Sequence, residues 1–340
     1  LAKHPLKSTE FLPSRLLRNG HVQTVLSSLP PRAGSIRERA ADLLERAQPL
    51  ILDCGEGVRL KAYHTPLLRA RRAVDMRRLA ILLHGWEGDI DSPYVLSAAA
   101  LLHEQQWPIV RLNLRDHGDT QALNRDLFHS CRLPEVVGAV RALAQLFPAA
   151  RPCLGGFSLG GNFMLRVAAD PGAPDRLAGV VAVSPVLEPE ITLQALEQGW
   201  RVYRDYFVRK WSRSLRIKQK VWPGDHDFDA VLKTRDLRQM TADLVRTSTD
   251  FPSLDAYLAG YSITGARLAT LRAPAHLLAA EDDPIIPIGD LSRVAAHPNL
   301  TITRTRHGGH CGFIDRIKGP SFADRYLLAQ FESFDRLAAQ

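Results

Sequence analysis

Cysteine is scarce in this chain. Four residues, Cys54, Cys131, Cys153 and Cys311, are spread over 340 positions with no C-x-x-C pair and no zinc-knuckle spacing. That argues against a disulfide framework and against a cysteine-based metal site. Long apolar runs are also missing. No window is long enough to span a bilayer, and the opening "LAKHPLKSTEFLPSRLL" lacks the apolar core of a signal peptide. The expectation is a soluble, cytoplasmic protein, although Leu1 in place of Met points to a missing N-terminal piece. Repeats and low-complexity tracts are absent. Acidic residues are outnumbered, leaving a net charge of +8. A basic balance suits nucleic acid or an anionic membrane. Here the arginines are scattered and no nucleic-acid motif accompanies them, so an arginine-rich proteome is the simpler source.

What the chain does have is alternation. Its length and its 45% hydrophobic, 24% charged composition suit one large α/β domain with an insertion. After a leader (1–48), "PLILDCG" and "VRLKAYHT" read as antiparallel strands joined at Glu56-Gly57. Then come "RLAILLHG" (strand), "YVLSAAALLHEQQ" (helix), "WPIVRLNLRDHG" (strand), "LPEVVGAVRALAQLF" (helix), "RPCLGGF" (strand), "LGGNFMLRVAAD" (helix) and "LAGVVAVSPV" (strand). This order predicts a mostly parallel sheet with helices on both faces.

The first part of the core is thus 49–187. Residues 188–272 hold no convincing buried strand and read as a helical cap over the carboxyl ends of the strands. Alternation resumes over 273–340 with "APAHLLAAEDDP" (strand), "GDLSRVAAH" (helix), "LTITRTRHGG" (strand) and a closing helix. Within 195–217, Leu196, Trp200, Tyr203, Phe207, Trp211 and Leu215 recur at helical spacing among arginines and lysines. Such a helix could touch an anionic membrane surface, but packing its apolar side as a cap is the commoner use.

The chemistry begins at "GGFSLGG". Gly156-Phe157-Ser158-Leu159-Gly160 fits G-x-S-x-G between a strand and a helix, where a sharp turn lifts the serine hydroxyl clear of the sheet. A serine nucleophile needs a base, and the base needs a carboxylate. Downstream, one strand ends in Glu281-Asp282-Asp283 and the next in "HGGHCGF". His310 follows Gly308 and Gly309, whose backbone freedom permits a sharp loop, and is the better base. His307 still belongs to the strand end and reads as structural. Oxyanion donors are expected at the Leu159 N–H and, in "HGWEG", at the Trp86 N–H. The "DHDFD" segment (225–229) reads as a solvated loop rather than a metal site.

These motifs together resemble the α/β-hydrolase superfamily and, within it, the YheT-like branch of carboxylesterases and lipid hydrolases shared with the eukaryotic ABHD lipases. The resemblance rests on "FLPSRLLRNGHVQTV", "HGWEG", "LNLRDHGD", "GFSLGGN", "EDDPIIP" and "GGHCGF". The leader motif His21-Val22-Gln23-Thr24 is the feature most particular to the branch. The resemblance implies a triad of Ser158, Asp283 and His310, with Asp282 as the alternative acid, and no metal or organic cofactor. One departure stands out. Where the family usually has an arginine-glycine pair after the fourth strand, this chain has Arg115-Asp116-His117-Gly118. The implied activity is hydrolysis of carboxylic esters, short-to-medium acyl esters or acylglycerol-type lipids, through an acyl-enzyme on Ser158. Acyl transfer from the same intermediate, and a non-catalytic binding module on the same scaffold, are the alternatives.

Overall fold

In the computed structural model, which describes residues 7–8, 11–67 and 77–337, the apolar runs become the middle of one sheet. Its strands are β1 (Lys7–Ser8), β2 (Gln48–Asp53), β3 (Arg59–Thr65), β4 (Arg78–Leu83), β5 (Ile109–Leu112), β6 (Arg151–Phe157), β7 (Gly179–Val183), β8 (Ala275–Ala280) and β9 (Leu300–Thr305). The order across the sheet is β1-β9-β8-β7-β6-β4-β5-β3-β2. β3 pairs antiparallel with both β2 and β5, and the other pairings are parallel. The central strands are buried along nearly their whole length, as a sheet covered on both faces requires.

The helices are α1 (Gly20–Leu26), α2 (Pro30–Arg39), α3 (Ala41–Glu45), α4 (Pro93–Glu104), α5 (Leu133–Leu146), α6 (Leu159–Ala169), α7 (Pro189–Gln198), α8 (Arg201–Val221), α9 (Leu237–Ser248), α10 (Leu254–Gly260) and α11 (Phe322–Leu337). One face of the sheet carries α5 and α6, whose Val140, Leu143, Phe163 and Val167 share a core with Leu79, Ile81 and Leu154. The other face carries α4 and α11 together with the leader, through Phe11, Ile36 and Leu43. The leader's first six residues lie outside the described residues. The segment read as a helix over "GDLSRVAAH" is a short 3₁₀ helix, Ile288–Arg293. Pro287 opens it, and beyond it Val294 bridges to Gly265 of the cap-side connection, which draws the chain out of helical register.

Between β7 and β8 the described chain is helical, with α7 to α10 and two short 3₁₀ turns. The helical spacing expected through 195–217 is interrupted. α7 ends before Gly199, whose extended backbone separates it from α8. Of the apolar stripe, Leu196, Tyr203 and Leu215 are buried, whereas Trp200 remains half exposed.

α8 is anchored by a buried ion pair. Lys218, with no exposed side-chain surface, places Nζ 2.8 Å from Oδ1 of Asp116. It also donates to the carbonyls of Asn124 at 2.5 Å and Asp126 at 3.1 Å. Asp116 is the departure noted above. Its φ of 59° is a left-handed conformation that suits glycine, and its carboxylate also accepts from the Phe128 N–H at 2.7 Å. Removing one member of a buried pair leaves the other charged and unsolvated. Lys218→Met should therefore lower the unfolding free energy by about 3–5 kcal/mol in chemical denaturation. Adding Asp116→Gly, which relieves both the orphan charge and the backbone strain, should recover most of that loss. A single-variant loss below about 1 kcal/mol, the level of an exposed pair, would show that the pair does not anchor the helix.

Candidate active site

Ser158 lies between β6 and α6 with φ 53° and ψ −121°. This is a strained conformation for a residue with a Cβ. The neighbouring glycines are required by contact. A Cβ on Gly156 would stand 2.3 Å from the Gly160 carbonyl oxygen, and one on Gly160 would stand 2.3 Å from the His84 carbonyl oxygen. The turn is held by the Ser158 N–H donating to Val183 O at 2.9 Å and by Asn162 N–H donating to Ser158 O at 3.1 Å.

The loop after β9 delivers His310 to this serine. Nε2 lies 2.9 Å from Ser158 Oγ, and Nδ1 lies 2.9 Å from Asp283 Oδ2. Asp283 Oδ1 accepts from the backbone N–H groups of Ile285 and Ile286 at 2.8 and 2.9 Å, which fixes the carboxylate. Burial pushes the His310 cation down, but the Asp283 carboxylate outweighs it and holds the imidazole well above its ordinary value. Asp282 does other work. Its Oδ1 accepts from the Gly309 N–H at 2.8 Å, and His307 Nδ1 stands 3.6 Å from its Oδ2. His307 therefore faces Asp282, at the base of the loop.

The loop itself is contorted. Gly308, Gly309, Cys311 and Phe313 all have positive φ, at 151°, 54°, 57° and 46°. It keeps this shape because the leader grips it. Gln23, fully buried, donates to Ile314 O at 2.9 Å and accepts from Ile314 N–H at 2.6 Å. Thr24 Oγ1 accepts from the His310 N–H at 2.8 Å. A Cβ on Gly309 would stand 2.4 Å from the Gly20 carbonyl oxygen. The glycines are thus needed for close approach of the leader as well as for conformational freedom.

On the opposite side of Ser158 lies the loop after β4. A Cβ on Gly85 would stand 3.0 Å from Ser158 Cβ, so this backbone packs directly on the serine. Leu159 opens α6, where the first N–H groups have no acceptor within the helix. Above the serine is a pocket lined largely by apolar residues such as Trp86, Leu193, Leu196, Phe207, Leu244 and Tyr257. Most of these walls come from the cap. The "DHDFD" loop is elsewhere engaged, with Asp225 paired to Arg125 and His226 on the Arg125 carbonyl. Among the described residues no group of three or more His, Cys, Asp or Glu is placed to hold a metal ion.

A family model for the alpha/beta hydrolase fold matches residues 80–317. The chain belongs to this family. Within it the chain is similar to YheT of Escherichia coli K12, provisionally named an esterase, at 26% identity over 90% of this chain and 88% of that protein. It is also similar to phospholipase ABHD3 of Mus musculus, at 23% identity over 71% of this chain and 59% of that protein, so it spans under two thirds of the latter. Among solved structures, esterase Pf2001 of Pyrococcus furiosus has a TM-score of 0.54 at 14% identity, over 87% of this chain and 95% of that one. That likeness is one of fold. No described helix is long and apolar enough to cross a membrane.

Three features of this α/β hydrolase escape a reading of motifs alone. Gln23 and Thr24 belong to a motif visible in the leader, but their grip on the His310 loop is a contact across almost 300 positions. Tyr94, whose hydroxyl accepts from the Gly85 N–H at 3.1 Å, carries no sequence signal. The third is the pair of side chains, His117 and Lys210, that hold the Glu87 backbone.

Proposed function

We propose that this α/β hydrolase is a serine esterase acting on small lipophilic carboxylic esters through an acyl-enzyme on Ser158. The observation that carries the reading is the continuous relay Asp283–His310–Ser158, with both links at 2.9 Å, beneath an apolar pocket. Asp283 accepts Nδ1–H of His310, which leaves the Nε2 lone pair facing the Ser158 hydroxyl. Nε2 takes the hydroxyl proton as Oγ attacks the ester carbonyl. The Leu159 and Trp86 N–H groups receive the oxyanion. His310 then returns the proton to the departing alkoxide. In the second half, His310 deprotonates a water that attacks the acyl-enzyme, releasing the carboxylic acid and regenerating Ser158.

Relatives named as an esterase and a phospholipase favour ester rather than amide substrates. A further relative, from Saccharomyces cerevisiae, is named a medium-chain fatty acid ethyl ester synthase/esterase. That favours a second reading in which an alcohol replaces water as the acyl acceptor in the same pocket.

Ser158→Ala and His310→Ala should each lower ester hydrolysis by several orders of magnitude, on the order of 10⁴-fold or more. The double variant should be little worse than either, since the two groups act as a unit. Ser158→Ala should also abolish labelling by a fluorophosphonate, whereas His307→Ala should be mild. A folded Ser158→Ala variant with near-parental activity would sink the proposal.

The pH dependence follows from the Asp283 contact. Only neutral His310 can accept the proton, and its cation is favoured beyond the ordinary imidazole value of 6.5. So kcat/KM should rise with pH through an inflection above 6.5. Asp283→Asn, which removes the stabilising anion, should move the inflection to lower pH while depressing the plateau. An inflection that stays in place in Asp283→Asn would show that Asp283 does not set it.

The apolar walls select substrate. Uncharged short-to-medium acyl esters and monoacylglycerols should be hydrolysed, and matched peptide amides should not. Exposed Trp200 precedes α8, whose outward side carries exposed Val202 and Tyr206 and then exposed Arg209, Arg213 and Arg216, which supports peripheral contact with an anionic membrane surface. Rates on a monoacylglycerol should then be higher in phosphatidylglycerol vesicles than in phosphatidylcholine vesicles. Equal rates on amides and esters would overturn the substrate assignment, and equal rates in the two vesicles would overturn the membrane contact.

A further inference from the structure

The two backbone groups of Glu87 are both taken, and neither partner belongs to its own loop. Its N–H donates to His117 Nε2 at 3.1 Å. Its carbonyl accepts from Lys210 Nζ of α8 at 2.6 Å. Glu87 has φ 54°, a conformation that a residue with a Cβ holds only when its surroundings impose it. The residue before it is Trp86. Its ring stacks on Phe207 at 5.0 Å and 14° and meets Trp211 edge-on at 5.0 Å and 75°. The peptide on its other side is pinned as well. Gly85 O accepts from Gly88 N–H at 3.0 Å and lies 2.7 Å from His84 Nδ1. Because a peptide is planar and trans, fixing the Gly85 carbonyl fixes the opposed direction of the Trp86 N–H.

The tautomers agree with this role. His117 Nδ1 lies 2.7 Å from the Arg115 carbonyl, an acceptor only, so Nδ1 carries the hydrogen and Nε2 is free to accept from Glu87. Burial keeps the ring neutral, down to about 3. His84 repeats the pattern, with Nδ1 on Gly85 O and Nε2 accepting from the Leu114 N–H at 3.2 Å.

On α8, the residues engaged here are Phe207, Lys210, Trp211, Ser214 and Lys218. Ser214 and Lys218 reach Asp116, beside His117. Their spacing places all five on one side of the helix.

We propose that cap helix α8 completes the oxyanion hole: Lys210 and His117 are positioning residues that clamp Glu87 and so hold the Trp86 N–H on the reacting carbonyl. This rests on the reading of Trp86 as an oxyanion donor. The cap is then part of the catalytic geometry as well as a roof over the acyl pocket. His117, in the turn after β5, supplies the acceptor that the Glu87 N–H needs.

A loosened donor weakens the transition state and leaves substrate binding alone. Two variants and their rescues test this on a short, soluble p-nitrophenyl ester. Lys210→Met and His117→Phe should each reduce kcat on the order of 10- to 100-fold, short of outright loss of a donor, with KM within about twofold of the parent. Lys210→Arg and His117→Gln, which retain the donor and the acceptor, should recover most of the rate. The inhibition constant of an alkyl trifluoromethyl ketone, whose adduct places an oxyanion in the hole, should weaken in proportion to kcat/KM. Should His117→Phe fail to fold, the half-buried Lys210 pair decides alone. Parental kcat in Lys210→Met, a loss confined to KM, or a rate loss without matching weakening of the ketone would overturn the proposal. Activity persisting in Ser158→Ala would instead overturn the esterase reading beneath it.

Discussion

Everything at this site depends on holding one short loop in a shape it would not keep by itself. Residues 308–313 include four with positive φ, two of them not glycine. Such backbone persists only where neighbours over-determine it. Here the neighbour is the leader, through the paired bonds of Gln23 with Ile314 and the Thr24 contact to the His310 N–H. Asp282 closes the other end through Gly309. With the loop set, His310 has one orientation, between Ser158 and Asp283. The leader is therefore a brace for the loop that carries His310.

The second constraint comes from the cap. An apolar roof is commonly pictured as a movable cover, but α8 is tied down by a buried charge. Lys218 without Asp116, or the reverse, would be an unsolvated ion. The same helix presses Phe207 and Trp211 against Trp86. Asp116 and His117, which follow Arg115 in the turn after β5, are the residues that meet α8 and Glu87, so this turn and the cap are packed as one unit. Arg115, in the same turn, stays within the core, bonded to Glu135 at 2.7 and 3.1 Å.

The acidic strand end shows how neighbours of one chemical type divide labour by geometry. Asp282 and Asp283 are adjacent, yet one faces the loop backbone and the other the imidazole. The division follows from the turn after β8. There the Ile285 and Ile286 N–H groups converge on Asp283, and a carboxylate held by two backbone donors cannot also swing toward Gly309.

Strand and helix order, the elbow, the pairing of β2 with β3 and the helical nature of 188–272 were legible from periodicity and glycine placement. They arise from local rules: which faces must be apolar, and where a Cβ cannot fit. Even there, local spacing ran past the break at Gly199 and made a helix of the 3₁₀ turn at 288–293, because breaks set by neighbouring elements leave no mark on apolar spacing. In "HGGHCG" the sequence by itself determined that a sharp loop follows β9 and that His310 lies beyond its glycines; His307, expected at the strand end, also lies past β9, which stops at Thr305. Only the tertiary structure decided which aspartate meets it, that Gln23 and Thr24 hold it, and that Lys218 answers Asp116. Those contacts join residues separated by 27 to 291 positions. Their partners are chosen by the approach of whole elements, which no local pattern encodes.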